Sequence, residues 1–418
     1  MTVPGVTITG IGLFTPVGRG ADEVFGAMLT GRSGIVRPPE EHPVHGSIEV
    51  AGIAAPVESK GLFSGPEVRT IDRVTLLAVL TAGDALADAG IEVGRDVDPY
   101  RIGVIGAGVG GIATLENQIV ARSIKGRAAI SPYLLPGTLP NMASARIAIR
   151  HGIRGYSSTV ATACAAGAQA IAEAARLIRA GEADVMIAGC SEAPLFPTFA
   201  ETFDNARALA RGWEDPAEAC RPFDSRRNGF VLSEGAAFVV LERTDFAEAR
   251  GATGYADIAG YGGTTDAHHP TTPRPDGESA AECMRRALVS GGIGPAEVGY
   301  VNAHGTSTKL GDVAETKALR QVFTSGVPAV SSTKSVTGHL LGASGVVEAA
   351  AGALAIARGV LPPTRNLTDP DPECDLDHVV KPREQATSFV LSNSFGFGGQ
   401  NLSLLIGRTG TSRTRGVL

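Results

Sequence analysis

Long hydrophobic runs are missing from this chain of 418 residues: nowhere do about 18 uncharged apolar residues follow one another, so no membrane span is expected. The opening MTVPGVTITGIGLF lacks a basic region followed by an apolar one and reads as a β-strand closed by glycine, not as an export signal. Positive charge is in deficit, 37 Lys and Arg against 43 Asp and Glu. The resulting net charge of -6 excludes a general nucleic-acid-binding face but leaves room for a local basic patch meeting an acidic partner. Cysteine is sparse, and its five copies at 164, 190, 220, 283 and 374 are scattered with no CxxC pair. That spacing argues against a disulfide framework or a structural zinc site and predicts a reducing cytoplasm. No GxGxxG follows a strand and no P-loop occurs, so nothing supports nucleotide binding. Aromatics make up only 5%, whereas glycine appears 54 times. Many tight turns and close backbone contacts follow, which suits a layered α/β fold better than a helical bundle.

Short β-branched runs alternate with Ala-rich helical runs: VTITGIG, TLLAVLTAGDALADAG, RIGVIGAG, AIAEAARLIRAG and ADVMIAGC, then GYVNAHG, AETKALRQVF, AVSSTKS, GVVEAAAGALAIARG and SFVLSNSFGFGG. This is the pattern of βα units, and the two series read as copies of one plan. Residues 167 to 181, GAQAIAEAARLIRAG, match residues 345 to 359, GVVEAAAGALAIARG, in length, small-residue content and terminal glycine. Helices so poor in charge belong at the centre of a layered structure. Two halves are expected, 1–252 and 253–411, with a tail at 412–418. Residues 264 to 280, TTDAHHPTTPRPDGESA, are too rich in Pro, Thr and Gly for a regular element and read as a functional loop.

Cys164 lies in ATACAAGAQAIAEAARLI, where an apolar strand gives way to a helix. A thiol at a helix start faces unpaired N–H groups and the positive end of the dipole, which is expected to lower its pKa and favour the thiolate; the same N–H groups can hold an oxyanion. Taken alone, a buried structural cysteine fits the same setting. Two histidines tip the balance: His304 in VNAHGTST and His339 in KSVTGHLLGASG sit at corresponding strand-to-helix junctions, so one shared pocket is expected. Lys334 and Glu315 are expected to pair behind them, although solvated surface charges fit both residues equally. The glycines of NSFGFGGQN allow backbone N–H groups to turn toward a ligand.

In this order, VTITGIGLFTPVG, TACAAG, NAHGTSTKLGDVAETKAL, KSVTGHLLGASGVVEA, PPTRNLTDPDPECDLDHV and NSFGFGGQN resemble the β-ketoacyl-acyl-carrier-protein synthases of the thiolase fold, especially the elongating type II enzymes and their polyketide relatives. The resemblance covers nearly the whole chain. It implies a five-layered αβαβα fold of two pseudo-symmetric halves and a decarboxylative condensation of malonyl-carrier protein with an acyl chain held as a thioester on Cys164. In this resemblance His304 and His339 stabilise the enolate oxygen, and the backbone N–H groups of Cys164 and Phe397 form an oxyanion hole. Phe397 gates the site, Lys334 organises the second histidine with Glu315 in support, and Thr306 and Thr308 bind the phosphopantetheine arm. Neither metal nor organic cofactor is implied.

By the same resemblance Val109 and Phe203 line the acyl channel, and Leu134 closes its end from a dimer partner. Glu201 replaces a small or glycine residue of the channel wall, which points to a specialised, polyketide-like chain; Gln400 also departs from the family pattern. Arg69, Arg73 and Arg207 are expected to form a basic patch for an acidic acyl carrier protein. The protein is expected to be cytoplasmic, free of nucleic acid and membrane, and a homodimer or a heterodimer with a chain-length-factor-like subunit. The alternatives are a degradative thiolase, disfavoured because thiolases use a second cysteine in place of one histidine, and a non-catalytic chain-length factor, disfavoured by the retained Cys164.

Overall fold

The computed structural model describes residues 4–57, 61–68 and 71–410; the expected tail at 412–418 lies outside the described residues. Among the described residues the central sheet has eleven strands; ten form its framework, and the short Gly18–Arg19 segment pairs only with the first of them. In the first half these are β1 (Val6–Thr15), β2 (Ile102–Ala107), β3 (Ser157–Val160), β4 (Val185–Glu192) and β5 (Gly235–Arg243). The second half supplies β6 (Ala256–Thr265), β7 (Tyr300–Asn302), β8 (Ala329–Ser331), β9 (Phe389–Gly396) and β10 (Gln400–Gly407).

Their spatial order is β3-β2-β4-β5-β1 in the first half and β8-β7-β9-β10-β6 in the second. Adding five to each strand number turns one order into the other. The pairing senses agree as well: β2 lies parallel to β3 and β4, as β7 does to β8 and β9, and the remaining neighbours are antiparallel. The two sheets join where β1 meets β6 antiparallel, Thr7 opposite Asp257. The last helix of the first half ends at Ala249 and β6 begins at Ala256.

The covering helices are α1 (Arg73–Ala89), α2 (Ile112–Lys125), α3 (Leu134–Thr138), α4 (Met142–His151), α5 (Ala166–Arg179), α6 (Pro197–Asn205), α7 (Glu278–Gly291), α8 (Lys309–Val322) and α9 (Gly342–Arg358). Strand residues alternate between two cores because successive side chains point to opposite faces. On β4, Met186 and Ala188 enter the central core with α5 and α9, while Val185 and Ile187 face an outer core with α1 and α4. On β9, Val390 joins the central core and Leu391 an outer core with α7 and α8. The layers therefore run helices, sheet, α5 with α9, sheet, helices. This is the five-layered αβαβα arrangement.

The centre of the stack is closed by glycine. A β-carbon on Gly167 of α5 would stand 2.3 Å from the Gly342 carbonyl oxygen and 2.7 Å from a Val346 methyl. One on Gly345 of α9 would stand 3.0 Å from the Ala168 nitrogen. The two small-residue helices match each other because each must let the other's backbone approach.

Gly167→Ala is expected to lower unfolding stability by about 1–3 kcal/mol through forced separation of α5 and α9. Gly26, in the surface helix Ala21–Thr30, has nothing within 4 Å of its β-carbon position. Gly26→Ala should instead leave stability unchanged or raise it by about 0.5–1 kcal/mol. Urea titrations of the two variants check this, and equal midpoints would refute it.

Candidate active site

The strand-to-helix junctions of both halves converge on one cavity of about 700 Å³. Cys164, His304 and His339 all line it, with Val109, Phe203, Thr306, Thr308 and Phe397. Cys164 follows β3 on a tight turn whose Ala163 is held at φ 48. A non-glycine residue there costs on the order of 1–3 kcal/mol and persists only where the surroundings enforce it. The turn lifts the thiol to the start of α5, where it is half-buried. Against this turn lies the end of β9: a β-carbon on Gly396 would stand 2.5 Å from the Thr162 carbonyl oxygen and 3.3 Å from the Cys164 nitrogen. That contact brings the N–H of Phe397 to the sulfur beside the N–H of Cys164 itself.

His339 precedes α9 and is anchored by its backbone, donating N–H to Val231 O at 2.8 Å and accepting from Ser233 N at 3.0 Å. Its Nε2 stands 3.1 Å from Cys164 Sγ, and its Nδ1 stands 3.1 Å from Ser344 Oγ. His304 follows β7, and its ring lies edge-on to that of His339 with 5.5 Å between centroids. The residue-level expectation of one thiol and two imidazoles in one pocket describes this geometry.

The expected ion pair of Lys334 with Glu315 is not made. Lys334 is fully buried, and its ammonium bonds Glu348 on α9 and donates to His304 O at 2.6 Å. Glu315, also buried, accepts instead from the N–H groups of His304 and Gly305, at 2.9 and 2.8 Å, and from Asn393 Nδ2 at 3.1 Å. Burial raises its pKa against those donors. The sequence places both residues behind the histidines, but the ammonium bonds a carboxylate on the helix that follows it.

Electrostatics correct a second expectation. The Cys164 thiol is pushed up to about 12, not down: burial outweighs the nearby Lys334 charge and the N–H groups of Phe397 and Cys164, which pull the other way. The helix start stabilises a thiolate once formed but does not make it the resting state. Both histidines are held well below their usual range, by burial first and then by the Lys334 ammonium. They rest as neutral rings. Glu192, at the cavity wall, is pushed up to about 8 by burial although it accepts N–H bonds from Val109 and Gly342.

The cavity has two characters. Phe196, Phe199, Phe203 and Phe230 form a chain of rings 5.3 to 5.4 Å apart, and Phe397 adds to it 6.1 Å from Phe203. Toward the mouth stand Thr306 and Thr308, their hydroxyls 3.1 Å apart, with Asn228, Arg207 and Lys309. Phe199 was not singled out from the sequence, yet its spacing of four from Phe203 on α6 is the helical signal that places both rings on one face.

That same spacing overturns the reading of Glu201. Two residues from both phenylalanines, it lies on the outer side of α6, exposed, and accepts a 2.8 Å hydrogen bond from Ser47. It does not line the cavity, so it gives no ground for a specialised acyl chain. Leu134, at the start of α3, is half-buried and outside the cavity lining. The three-arginine patch also changes. Arg69 lies outside the described residues, and Arg73 is turned inward, donating from Nε and Nη2 to the Glu234 carboxylate at 2.8 and 2.7 Å. Arg207 alone of the three is exposed at the mouth. Gln400 opens β10 and is half-buried. Among the described residues, no group of three or more His, Cys, Asp or Glu could hold a metal ion, and no helix is long and apolar enough to cross a membrane.

Two family models match the chain: the N-terminal domain of β-ketoacyl synthase over residues 4–247 and the C-terminal domain over 255–368. A Synechocystis protein named 3-oxoacyl-[acyl-carrier-protein] synthase 2 is 41% identical over 403 residues, covering 96% of this chain and 97% of the relative. Among solved structures, the chain resembles a type II polyketide ketosynthase in complex with its acyl-carrier protein, bound to the hexaketide (TM-score 0.89, 31% identity, 97% of this chain and 100% of the other). It also resembles the ishigamide ketosynthase/chain length factor (TM-score 0.90, 32% identity, the same coverage).

With its thiol pushed up to about 12, Cys164 should be alkylated by iodoacetamide at a rate that climbs roughly tenfold per pH unit up to pH 10. Mass spectrometry of timed aliquots reads the rate. A plateau near the ordinary thiol value of about 8.5 would contradict the dominance of burial.

Proposed function

The chain belongs to the β-ketoacyl synthase family and is an acyl-transferring condensing enzyme, a 3-oxoacyl-acyl-carrier-protein synthase of fatty-acid or polyketide assembly; we propose that Cys164 carries the growing chain and that His304 and His339 drive the decarboxylation. The observation that carries this reading is the 3.1 Å approach of His339 Nε2 to Cys164 Sγ with the His304 ring alongside.

In the first half-reaction the Cys164 sulfur attacks the carbonyl carbon of an acyl thioester on carrier protein. The carbonyl oxygen becomes an oxyanion facing the N–H groups of Cys164 and Phe397, donors already directed at this point. The bond to the carrier's sulfur breaks, and the proton given up by Cys164 leaves on that sulfur. The aromatic wall of Phe199, Phe203 and Phe230 takes the apolar chain, while Thr306 and Thr308 face the phosphopantetheine arm at the mouth.

In the second half-reaction the bond between the malonyl α-carbon and its carboxylate breaks. Carbon dioxide departs, and the electron pair spreads onto the thioester oxygen as an enolate. Neutral imidazole N–H groups stabilise that oxygen more in the transition state than before it. The α-carbon then attacks the Cys164 thioester, the 3-ketoacyl chain leaves on the carrier, and the released sulfur takes up one proton. Buried and beside Lys334, the two rings stay neutral at the pH of the reaction.

A basic rim of Arg207 and Lys309 at the mouth fits an acidic carrier protein. The opposite edge fits a second subunit. Among the described residues, strand β3 ends the sheet with a free edge, and Leu115, Ile119, Val120 and Ile124 of α2 are exposed beside Tyr133, Leu135 and Leu139. An edge strand next to such an apolar surface needs covering.

Cys164→Ala should abolish acyl loading, read by intact mass, while malonyl decarboxylation persists; loss of both would refute the division of roles. His304→Ala and His339→Ala should each reduce carbon dioxide release about 10²–10³-fold. In the wild type that release should show no inflection near the ordinary histidine value of about 6.5 as pH falls from 7.5 to 5.5, because folded-state pKa values lie well below it. The double change Ile119→Glu with Ile124→Glu should shift the species seen by sedimentation from dimer to monomer, and an unchanged sedimentation coefficient would remove α2 from the interface.

A further inference from the structure

The third residue of α9 is a buried serine whose hydroxyl stands between the backbone and the catalytic ring. Ser344 Oγ accepts a hydrogen bond from Leu340 N–H at 2.9 Å and meets His339 Nδ1 at 3.1 Å. No other partner contacts this hydroxyl among the described residues, and the side chain is only 2% exposed.

A hydroxyl has one proton and two lone pairs. One lone pair here is taken by Leu340. If His339 carried its proton on Nδ1 and donated it to the remaining lone pair, the serine proton would be left without an acceptor in a buried site, a loss of about 1–3 kcal/mol. If the serine donates to Nδ1, every group is satisfied. The ring proton then sits on Nε2, the nitrogen facing Cys164 and the cavity.

We propose that Ser344 is a positioning residue that holds His339 in the Nε2–H tautomer, so that the ring faces the reacting carbonyl as a donor and cannot serve as the base that takes the Cys164 proton. The assignment rests on the reading of His339 as the donor to the enolate oxygen. It divides the two histidines. Among the described residues His304 Nδ1 is buried with no hydrogen-bond partner, so nothing comparable fixes the tautomer of that ring from behind. The serine also explains a detail of local folding: by capping Leu340 N–H it fixes the turn on which Leu341 sits at φ 49, and the same contact sets the imidazole.

Nitrogen-15 spectra of the intact protein labelled at histidine test this directly, with the His339 resonances assigned by their absence in His339→Asn. The expected wild-type result is a pyridine-type, hydrogen-bonded Nδ1 and a pyrrole-type Nε2; a pyrrole-type Nδ1 overturns the proposal whatever any variant does. In Ser344→Ala the His339 tautomers should mix, and kcat for malonyl decarboxylation should fall roughly 10- to 100-fold with KM for malonyl-carrier protein little changed. Ser344→Thr, which keeps the hydroxyl, should retain the wild-type tautomer. Ser344→Ala with both the spectrum and kcat at wild-type values would refute the assignment. Loss of decarboxylation in His339→Ala tests the underlying role separately: if that variant keeps full rate, the reading of His339 fails, not the tautomer.

Discussion

Everything at this site depends on how closely two helices approach. Helix α5 starts two residues after the Cys164 thiol and α9 starts three residues after His339, so the spacing of their first turns sets the distance from sulfur to imidazole. Gly167 and Gly345 leave backbone facing backbone where the helices meet. A methyl group at Gly167 would collide with the Gly342 carbonyl, and one at Gly345 would crowd Ala168, so either would disturb the helix spacing behind the 3.1 Å contact. The duplicated strand order explains why such a pairing arises. Each half delivers a strand-to-helix junction to the same depth of the stack, and the two junctions meet across the pseudo-symmetry. One then carries a thiol and the other a histidine.

Within that frame the charges are arranged to keep the reacting groups neutral. A single ammonium, Lys334, is sealed behind the histidines and balanced by Glu348, so the pocket itself receives its field without its proton. Burial and that field act in the same direction on the imidazoles and in opposite directions on the thiol. The consequence is a division of labour. Both histidines rest as neutral rings, and the sulfur rests as a neutral thiol with two backbone N–H groups beside it.

Much of this was legible in the sequence because it rests on local rules. The alternation of short strands with small-residue helices gives the two halves, and Cys164, His304 and His339 stand at element ends where side chains project into clefts. The failures share a cause: each required knowing which way a side chain turns in three dimensions. Lys334 is expected to pair with Glu315, but its ammonium is taken by Glu348, set among the alanines of α9. Glu201 was read along the chain as a wall residue, whereas helical geometry carries positions 199 and 203 inward and 201 out. Arg73 has the charge for a docking patch, yet Glu234 captures it from within. The thiol was judged by the dipole alone, and desolvation, invisible from sequence, proved larger.

The cavity's two ends suit the two substrates of the proposed reaction. Its aromatic end offers ring edges and faces with few groups that can bond an oxygen, so an acyl chain placed there is stabilised by burial and held with its carbonyl at Cys164. Its polar end, with paired threonine hydroxyls and the basic rim, suits the arm of a carrier. Under the proposed roles, loading followed by decarboxylation fits this division of the pocket as well as the chemistry of the sulfur.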